Sequence, residues 1–248
     1  MLPVPPNGPP AYLLAPSEVT RWKFTKTSTE RLKNDFSPSP SSGWISTGDA
    51  VAALLGGVIT RARENSNVPR IEGRSRFESQ IETFMMAADG RDRSPLGNMV
   101  DGGYFGNFNL LFNTSISRSD LLSLTLESAS RVSLGIRNAL NIQLSPEAIA
   151  NKILFYEDPQ NSDRIAWEGD IIMTNWCRFD LQGPKLDFGW GKPFNATSGG
   201  GSIFPPGYVI IMQDKTSGDI SVLMTVEPSG AAKLKGDPLL NKYAELIN

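Results

Sequence analysis

The sequence contains no histidine and only one cysteine. Without an imidazole, the chain by itself lacks the commonest general base near neutral pH and the commonest metal ligand, which excludes Ser-His-Asp triads, Cys-His pairs and histidine-based zinc sites. The single Cys177 excludes an internal disulfide framework and is typical of a reducing compartment. We therefore expect no metal, no permanently bound cofactor and a cytoplasmic location.

An excess of one charge and a long apolar run are also lacking. Lysine and arginine total 24 against 26 acidic residues, which gives a formal net charge of −2. This balance gives no electrostatic reason to expect a nucleic acid or an anionic membrane as partner. The longest apolar stretch, residues 51–59, is too short to span a bilayer, and residues 1–10 lack the basic start and apolar centre of a secretory signal.

Proline is concentrated near the start, where eight of the 18 prolines precede residue 41. Because proline fixes φ and donates no hydrogen bond, we interpret residues 1–43 as an extended, linker-like crossover segment. Alternating apolar and polar residues at 19–25 indicate one possible strand within it, and residues 29–36 a short helix.

Residues 44–248 are predicted to form a single lobe of mixed strands and helices, an α/β fold. Ser46 with Asp49 is typical of a capping box at the start of a helix over 50–63, which Gly56 and Gly57 interrupt at about 1 kcal/mol each. Close packing against another element would compensate that cost. Further helices are predicted at 119–140, from Ser145 onward, and at 228–247 with a break at 236–238. Strands are predicted at 79–87, 108–114, 170–179, 207–213 and 220–226.

The strongest motif is Asp187-Phe188-Gly189-Trp190-Gly191. A tight turn alone would explain such a string, since glycine adopts φ values that other residues avoid. Three more motifs occur in the order found in one known family: residues 45–63, 91–107 and 174–176. With them, the chain from Trp22 onward resembles the C-terminal half of the BAHD acyl-CoA-dependent acyltransferases, in their fungal branch.

The resemblance implies one lobe of a two-lobe architecture like that of chloramphenicol acetyltransferase. It implies an O- or N-acyltransferase of secondary metabolism that takes acyl-CoA as co-substrate and a small molecule as acceptor. In the family the histidine of a His-x-x-x-Asp motif lies in the N-terminal half, so we expect a separate, histidine-bearing half as partner, or else self-association. Residues 170–192 are expected to cross to that partner's sheet and to be an unpaired edge in this chain.

The resemblance also assigns roles to residues. Thr174 would hydrogen-bond the oxyanion of the tetrahedral intermediate and Trp176 would line the reaction channel, although both also fit an ordinary alternating strand. The Asp-Phe-Gly-Trp-Gly motif would be structural, with Asp187 pairing with Arg91 or Arg93.

Three further assignments concern the first long helix and the residues after it. Ser46 and Thr47 at its start would hold an anionic group of coenzyme A, or Ser46 would be a plain N-cap. Relatives often have tryptophan where this chain has Gly56, which predicts a space there. Five arginines at the end of the helix and beyond it are interpreted as a solvated basic face, with phosphate contact as the alternative: Arg61, Arg63, Arg70, Arg74 and Arg76.

Two other functions stay open. A channel without a histidine base is able to bind and fold an apolar substrate, as in a cyclase or pericyclase. The chain is also compatible with a non-catalytic pseudo-enzyme subunit, because fold alone does not fix the substrate.

Overall fold

The computed structural model describes residues 15–64, 79–93, 108–161, 169–183, 186–191, 193 and 204–247. The strands of this part of the chain form one mixed sheet in the order β3-β2-β4-β5-β6-β1-β7. They are β1 (Glu18–Phe24), β2 (Ile81–Asp89), β3 (Asn109–Ser117), β4 (Ile171–Asn175), β5 (Tyr208–Gln213), β6 (Ile220–Val226) and β7 (Glu245–Ile247). Strands β2, β4 and β5 run parallel, and the other neighbouring pairs are antiparallel. The predicted α/β fold is confirmed.

The helices enclose a large apolar core against one face of this sheet. They are α1 (Lys26–Phe36), α2 (Thr47–Ala62), α3 (Arg118–Ser123), α4 (Leu126–Gln143), α5 (Pro146–Glu157), α6 (Pro228–Lys235) and α7 (Pro238–Tyr243). Helix α2 is buried almost all round, because it lies between the sheet and the other helices. Among the described residues, none of the helices combines the length and the apolar composition that a transmembrane span requires.

The predicted capping box starts α2. The backbone amide of Ser46 donates to Asp49 Oδ2 over 2.6 Å, and the amide of Asp49 donates to Ser46 Oγ over 3.3 Å. The expectation of a space at Gly56 is wrong, because the ring of Phe84 on β2 fills it. A Cβ built on Gly56 would lie 2.0 Å from Phe84 Cζ. Close packing of helix on sheet therefore compensates the cost of the glycine.

The single helix predicted over 119–140 is wrong, because the chain forms α3 and α4 with a break between them. Leu124 ends α3 in the left-handed conformation with φ of 36°, and its side chain is buried. Thr125 then caps α4, since its side chain accepts from the amide of Ser128. The hydroxyl of Thr125 offers the new helix an N-cap. At the C-terminus, the predicted helical stretch likewise ends early, and β7 follows α7.

The expectation that residues 1–43 are a linker is wrong for 18–36. Strand β1 pairs with β6 and β7, and its Trp22 and Phe24 are fully buried. Leu32 and Phe36 of α1 are buried in the same core. The predicted strand and short helix are thus parts of the lobe itself, since their apolar residues need the core for burial. The prolines of residues 1–14 lie outside the described residues.

The expectation of an unpaired edge at 170–192 is wrong for β4. This strand pairs in parallel with β2 on one side and with β5 on the other. In this interior position the backbone groups of β4 find hydrogen-bond partners on both sides. Its apolar side chains are buried as well. Residues 176–183 and 186–191 leave the sheet as turns, and their expected crossing to another lobe stays a prediction.

The predicted basic face is wrong for two of its arginines. Arg63 is buried and donates to Glu227 over 2.8 Å and to the carbonyl of Asp170 over 2.6 Å. Arg61 donates to Asp237 over 2.8 Å. The two ion pairs join α2 to α6 and α7, because carboxylates there neutralise the guanidinium groups, and the hydrogen bond to Asp170 joins it to the start of β4. Arg70, Arg74 and Arg76 lie outside the described residues.

Candidate active site at the carboxyl edge of the parallel strands

The predicted site segments meet at one edge of the sheet. The parallel strands β2, β4 and β5 end at the same edge, as the register pairs Met86 with Met173 and Asn175 with Ile211. Ligands of open α/β sheets bind outside such carboxyl ends. The turn of Arg91–Arg93 follows β2, and residues 174–176 end β4 and leave it at this edge.

Thr174 and Trp176 form a hydrogen-bonded pair at the end of β4. The indole Nε1 of Trp176 donates to Thr174 Oγ1 over 3.0 Å. Trp176 also packs on a small apolar cluster of Ile210, Met212 and Leu223, on the face of the sheet opposite the helices. A threonine hydroxyl has one donor and two acceptor positions. Since the indole occupies an acceptor position, the hydroxyl proton of Thr174 is left to donate to another group.

The start of α2 lies beside the end of β4. A Cβ built on Gly48 would be 3.3 Å from Asn175 Nδ2. The hydroxyl of Ser46 is already engaged, because it donates to Asp49 Oδ2 over 2.9 Å and accepts from the Asp49 amide. The N-cap interpretation of Ser46 is therefore correct for its side chain. The amides of Thr47 and Gly48 head the helix, where N–H groups lack an intrahelical partner and the dipole is positive.

The Asp-Phe-Gly-Trp-Gly motif is a turn organised by its aspartate. Asp187 Oδ1 accepts from the amides of Gly189 and Gly191 over 2.8 and 3.0 Å. Both glycines have positive φ, at 96° and 93°, which a residue with a Cβ adopts only with strain. Phe188 and Trp190 of this turn are exposed, Trp190 by 93%. The geometry is that of a structural turn.

Arg91 and Arg93 follow β2 at the same edge. Arg91 donates to Asp89 Oδ1 over 2.9 Å. Within the ranges that the structure describes, Asp187 forms no ion pair with either arginine. The predicted pairing of Asp187 with Arg91 or Arg93 therefore stays a prediction.

Cys177 follows Trp176 and is half-buried against the main core. Burial raises the pKa of its thiol to about 11, although the ammonium group of Lys215 acts in the opposite direction. The same ammonium group donates to the carbonyl of Cys177. The thiol is neutral near pH 7 and is a poor nucleophile there. Among the described residues, no group of three His, Cys, Asp or Glu side chains is placed to hold a metal ion.

Sequence reasoning missed two residues near the site. Asn175 contacts the start of α2 and connects the two predicted parts of the site. Arg137 of α4 donates to the Asp49 carboxylate of the capping box. Asn175 lies between the motif residues Thr174 and Trp176, and this position in the sequence could have identified it. Arg137 offered none, because 88 residues separate it from Asp49.

The chain belongs to the Transferase family, whose model matches residues 20–238.

Among curated proteins, the chain is similar to Acyltransferase M4 of Phoma sp. The two are 26% identical over 259 residues, which is 96% of this chain and 48% of the relative. The chain therefore spans about half the length of the relative that it matches.

Among solved structures, the chain is similar to F. sporotrichioides TRI101 complexed with coenzyme A and T-2. The TM-score is 0.74 at 18% identity, over 94% of this chain and 52% of that one. Vinorine synthase matches with a TM-score of 0.63 at 16% identity, over 92% of this chain and 48% of that one. At these identities the likeness establishes the fold.

Proposed function

We propose that the chain is the C-terminal half of an acyl-CoA-dependent O- or N-acyltransferase of secondary metabolism, working with a histidine-bearing half. Membership of the Transferase family and the similarity to Acyltransferase M4 support acyl transfer. The coenzyme A bound in F. sporotrichioides TRI101 supports acyl-CoA as the co-substrate.

The proposed reaction needs a base that this chain does not have. The imidazole of the other half takes the proton of the acceptor alcohol or amine, and the acceptor then attacks the thioester carbonyl. A tetrahedral oxyanion forms, collapses, and expels the coenzyme A thiolate, which takes the proton from the imidazolium. The products are the acylated acceptor and free coenzyme A.

The observation that carries the proposal is the donor position of Thr174. Its hydroxyl is fixed by the indole of Trp176, and its proton is free to stabilise an oxyanion at the carboxyl edge of the sheet. A donor held in place before the reaction costs no reorganisation when the charge develops, which makes such donors effective. Trp176 then acts as a positioning residue as well as part of the channel.

Coenzyme A would bind at the start of α2 and reach Thr174 at the carboxyl edge of the sheet. The amides of Thr47 and Gly48 and the positive end of the helix dipole favour an anionic group there. Because Gly48 adjoins Asn175, this anion site and the oxyanion donor lie on neighbouring backbone. The two positions are thus suited to two parts of one thioester molecule.

The partner half would cover the face of the sheet that the helices leave open. That face carries the small cluster around Ile210, and the Asp187 turn projects Phe188 and Trp190 into solvent. Large exposed aromatic side chains are enriched at protein interfaces. The match to about half of each relative's length supports a complementary half.

The test is acyl transfer after mixing the chain with a histidine-bearing half, over a panel of acyl-CoAs. We expect Thr174→Val to lower kcat roughly 100-fold, the loss typical of a single oxyanion donor. The matched control is Thr174→Ser, which keeps the hydroxyl and should keep most of the activity. No turnover with any such half, or full turnover by Thr174→Val, would contradict the proposal.

A thermal titration separates this proposal from the cyclase alternative. A ligand that binds the folded chain raises its melting temperature by mass action. We expect acyl-CoA to raise the melting temperature of the assembled halves. An unchanged melting temperature over the whole titration would favour a scaffold that performs no acyl transfer.

A further inference from the structure

Trp44 is a large aromatic side chain that the fold leaves in solvent. Its exposed fraction is 64%. The guanidinium carbon of Arg137 lies 4.6 Å from the centre of the Trp44 ring, which is a cation–π stack. One face of the indole is therefore covered, and the exposure belongs chiefly to the other face and the edge.

Arg137 holds this indole on a rigid support. Its Nε and Nη2 atoms donate to Asp49 Oδ2 over 2.8 and 2.6 Å, and both side chains of this ion pair are nearly buried. Asp49 is in turn fixed by the capping box with Ser46. The ring is thus pre-organised, so a ligand that stacks on it would not have to order it.

The stacked pair of Trp44 and Arg137 is also close to the proposed anion site. Trp44 precedes the N-cap Ser46 by two residues, so their Cα atoms are at most about 7 Å apart. The amides of Thr47 and Gly48 follow directly. A flat ring next to an anion site matches a nucleotide, in which only a ribose separates the base from the phosphates.

We propose that Trp44 is the stacking surface for the adenine ring of coenzyme A, with the phosphates toward the start of α2. This inference rests on the proposed function, which makes acyl-CoA the co-substrate. Aromatic side chains bind bases through their π-faces without needing matched hydrogen bonds. Trp44 would then contribute affinity for the nucleotide end of the molecule, while Thr174 acts at the thioester end.

The experiment compares ligand fragments on the chain and on the assembled halves, by calorimetry. The ligands are coenzyme A, 4′-phosphopantetheine, which lacks adenine, and AMP, which lacks pantetheine. We expect Trp44→Ala to weaken coenzyme A binding roughly 5- to 150-fold, the range for one stacked base. The same variant should leave 4′-phosphopantetheine binding unchanged. Trp44→Phe should retain most of the coenzyme A affinity, since it keeps an aromatic ring.

The matched control is Leu126→Ala, which truncates another apolar side chain that is 62% exposed. It should change the binding of none of the ligands. Circular dichroism checks that each variant is folded, and Trp44→Phe keeps the test decisive if Trp44→Ala is not.

The outcomes separate the inference from the function on which it rests. Equal coenzyme A binding by the wild type and Trp44→Ala, with acyl transfer intact, overturns the role of Trp44 alone. AMP binding as tight as that of coenzyme A overturns the assignment to coenzyme A, because the site would then serve any adenine nucleotide. Failure of coenzyme A to bind the wild type, alone or assembled, removes both proposals.

Discussion

At the scale of single residues, hydrogen bonds decide which polar groups are available. The indole of Trp176 occupies an acceptor position of Thr174, and the hydroxyl of Ser46 is used by Asp49. The hydroxyl of Thr174 is therefore available to a substrate, and that of Ser46 is not. Asp187 is similarly engaged by two amides, which favours a structural over a catalytic role.

The thiol of Cys177 gives a prediction at this scale. A pKa of about 11 leaves about 0.1% of the thiol ionised at pH 8, against roughly a quarter for an ordinary cysteine with a pKa near 8.5. We expect iodoacetamide at pH 8 to alkylate the native chain at least about 100-fold more slowly than the urea-denatured chain. Mass spectrometry over time measures both rates. Because the thiolate is the reacting form, the native rate should rise as the pH rises. Equal native and denatured rates would refute the raised pKa.

At the scale of elements, α2 is the centre of the lobe and shows how a poor helix sequence is compensated. Its two central glycines cost helix stability, but they let other elements approach. A Cβ on Gly56 would meet the ring of Phe84, and one on Gly57 would lie 2.7 Å from Leu124 Cδ2. The left-handed Leu124 thus fills a space that only glycine leaves open.

Two glycine substitutions should therefore change stability in opposite directions. Gly56→Ala places a methyl group 2.0 Å from Phe84 Cζ, and overpacking of this kind costs about 1–3 kcal/mol, more than the gain in helix propensity. Gly135→Ala on α4 meets only Ile116 Cδ1 at 3.5 Å, an ordinary contact. We expect it to stabilise the chain by up to about 1 kcal/mol. Urea unfolding measures both, and a shift of the two midpoints in the same direction would contradict this account.

At the scale of the whole molecule, buried ion pairs join segments that are far apart in the chain. Arg63 at the end of α2 reaches Glu227 at the start of α6 and the backbone of Asp170 before β4. Arg118 and Glu82 form a second pair between α3 and β2. Because their charges are out of water, each partner depends on the other.

Removing one partner of such a pair should destabilise the chain. We expect Glu227→Gln to cost about 3 kcal/mol, because it removes the negative charge of Glu227 from its buried ion pair with Arg63. The matched control is Glu18→Gln, which breaks the exposed pair of Glu18 with Lys235 and should cost less than about 1 kcal/mol. Urea unfolding of both variants at pH 7 measures the difference. Similar losses would show that burial does not determine the strength of these pairs.

The sequence by itself determined what depends on neighbouring residues. The capping box at Ser46, the alternating strands and the Asp187 turn were predictable, because hydrogen bonds and periodicity over a few residues produce them. Only the tertiary structure decided what depends on distant residues. It placed β4 inside the sheet, paired Arg63 with Glu227, filled the space at Gly56 with Phe84, and stacked Arg137 on Trp44. The residues around one position do not indicate such contacts, because the partners meet only when the core forms.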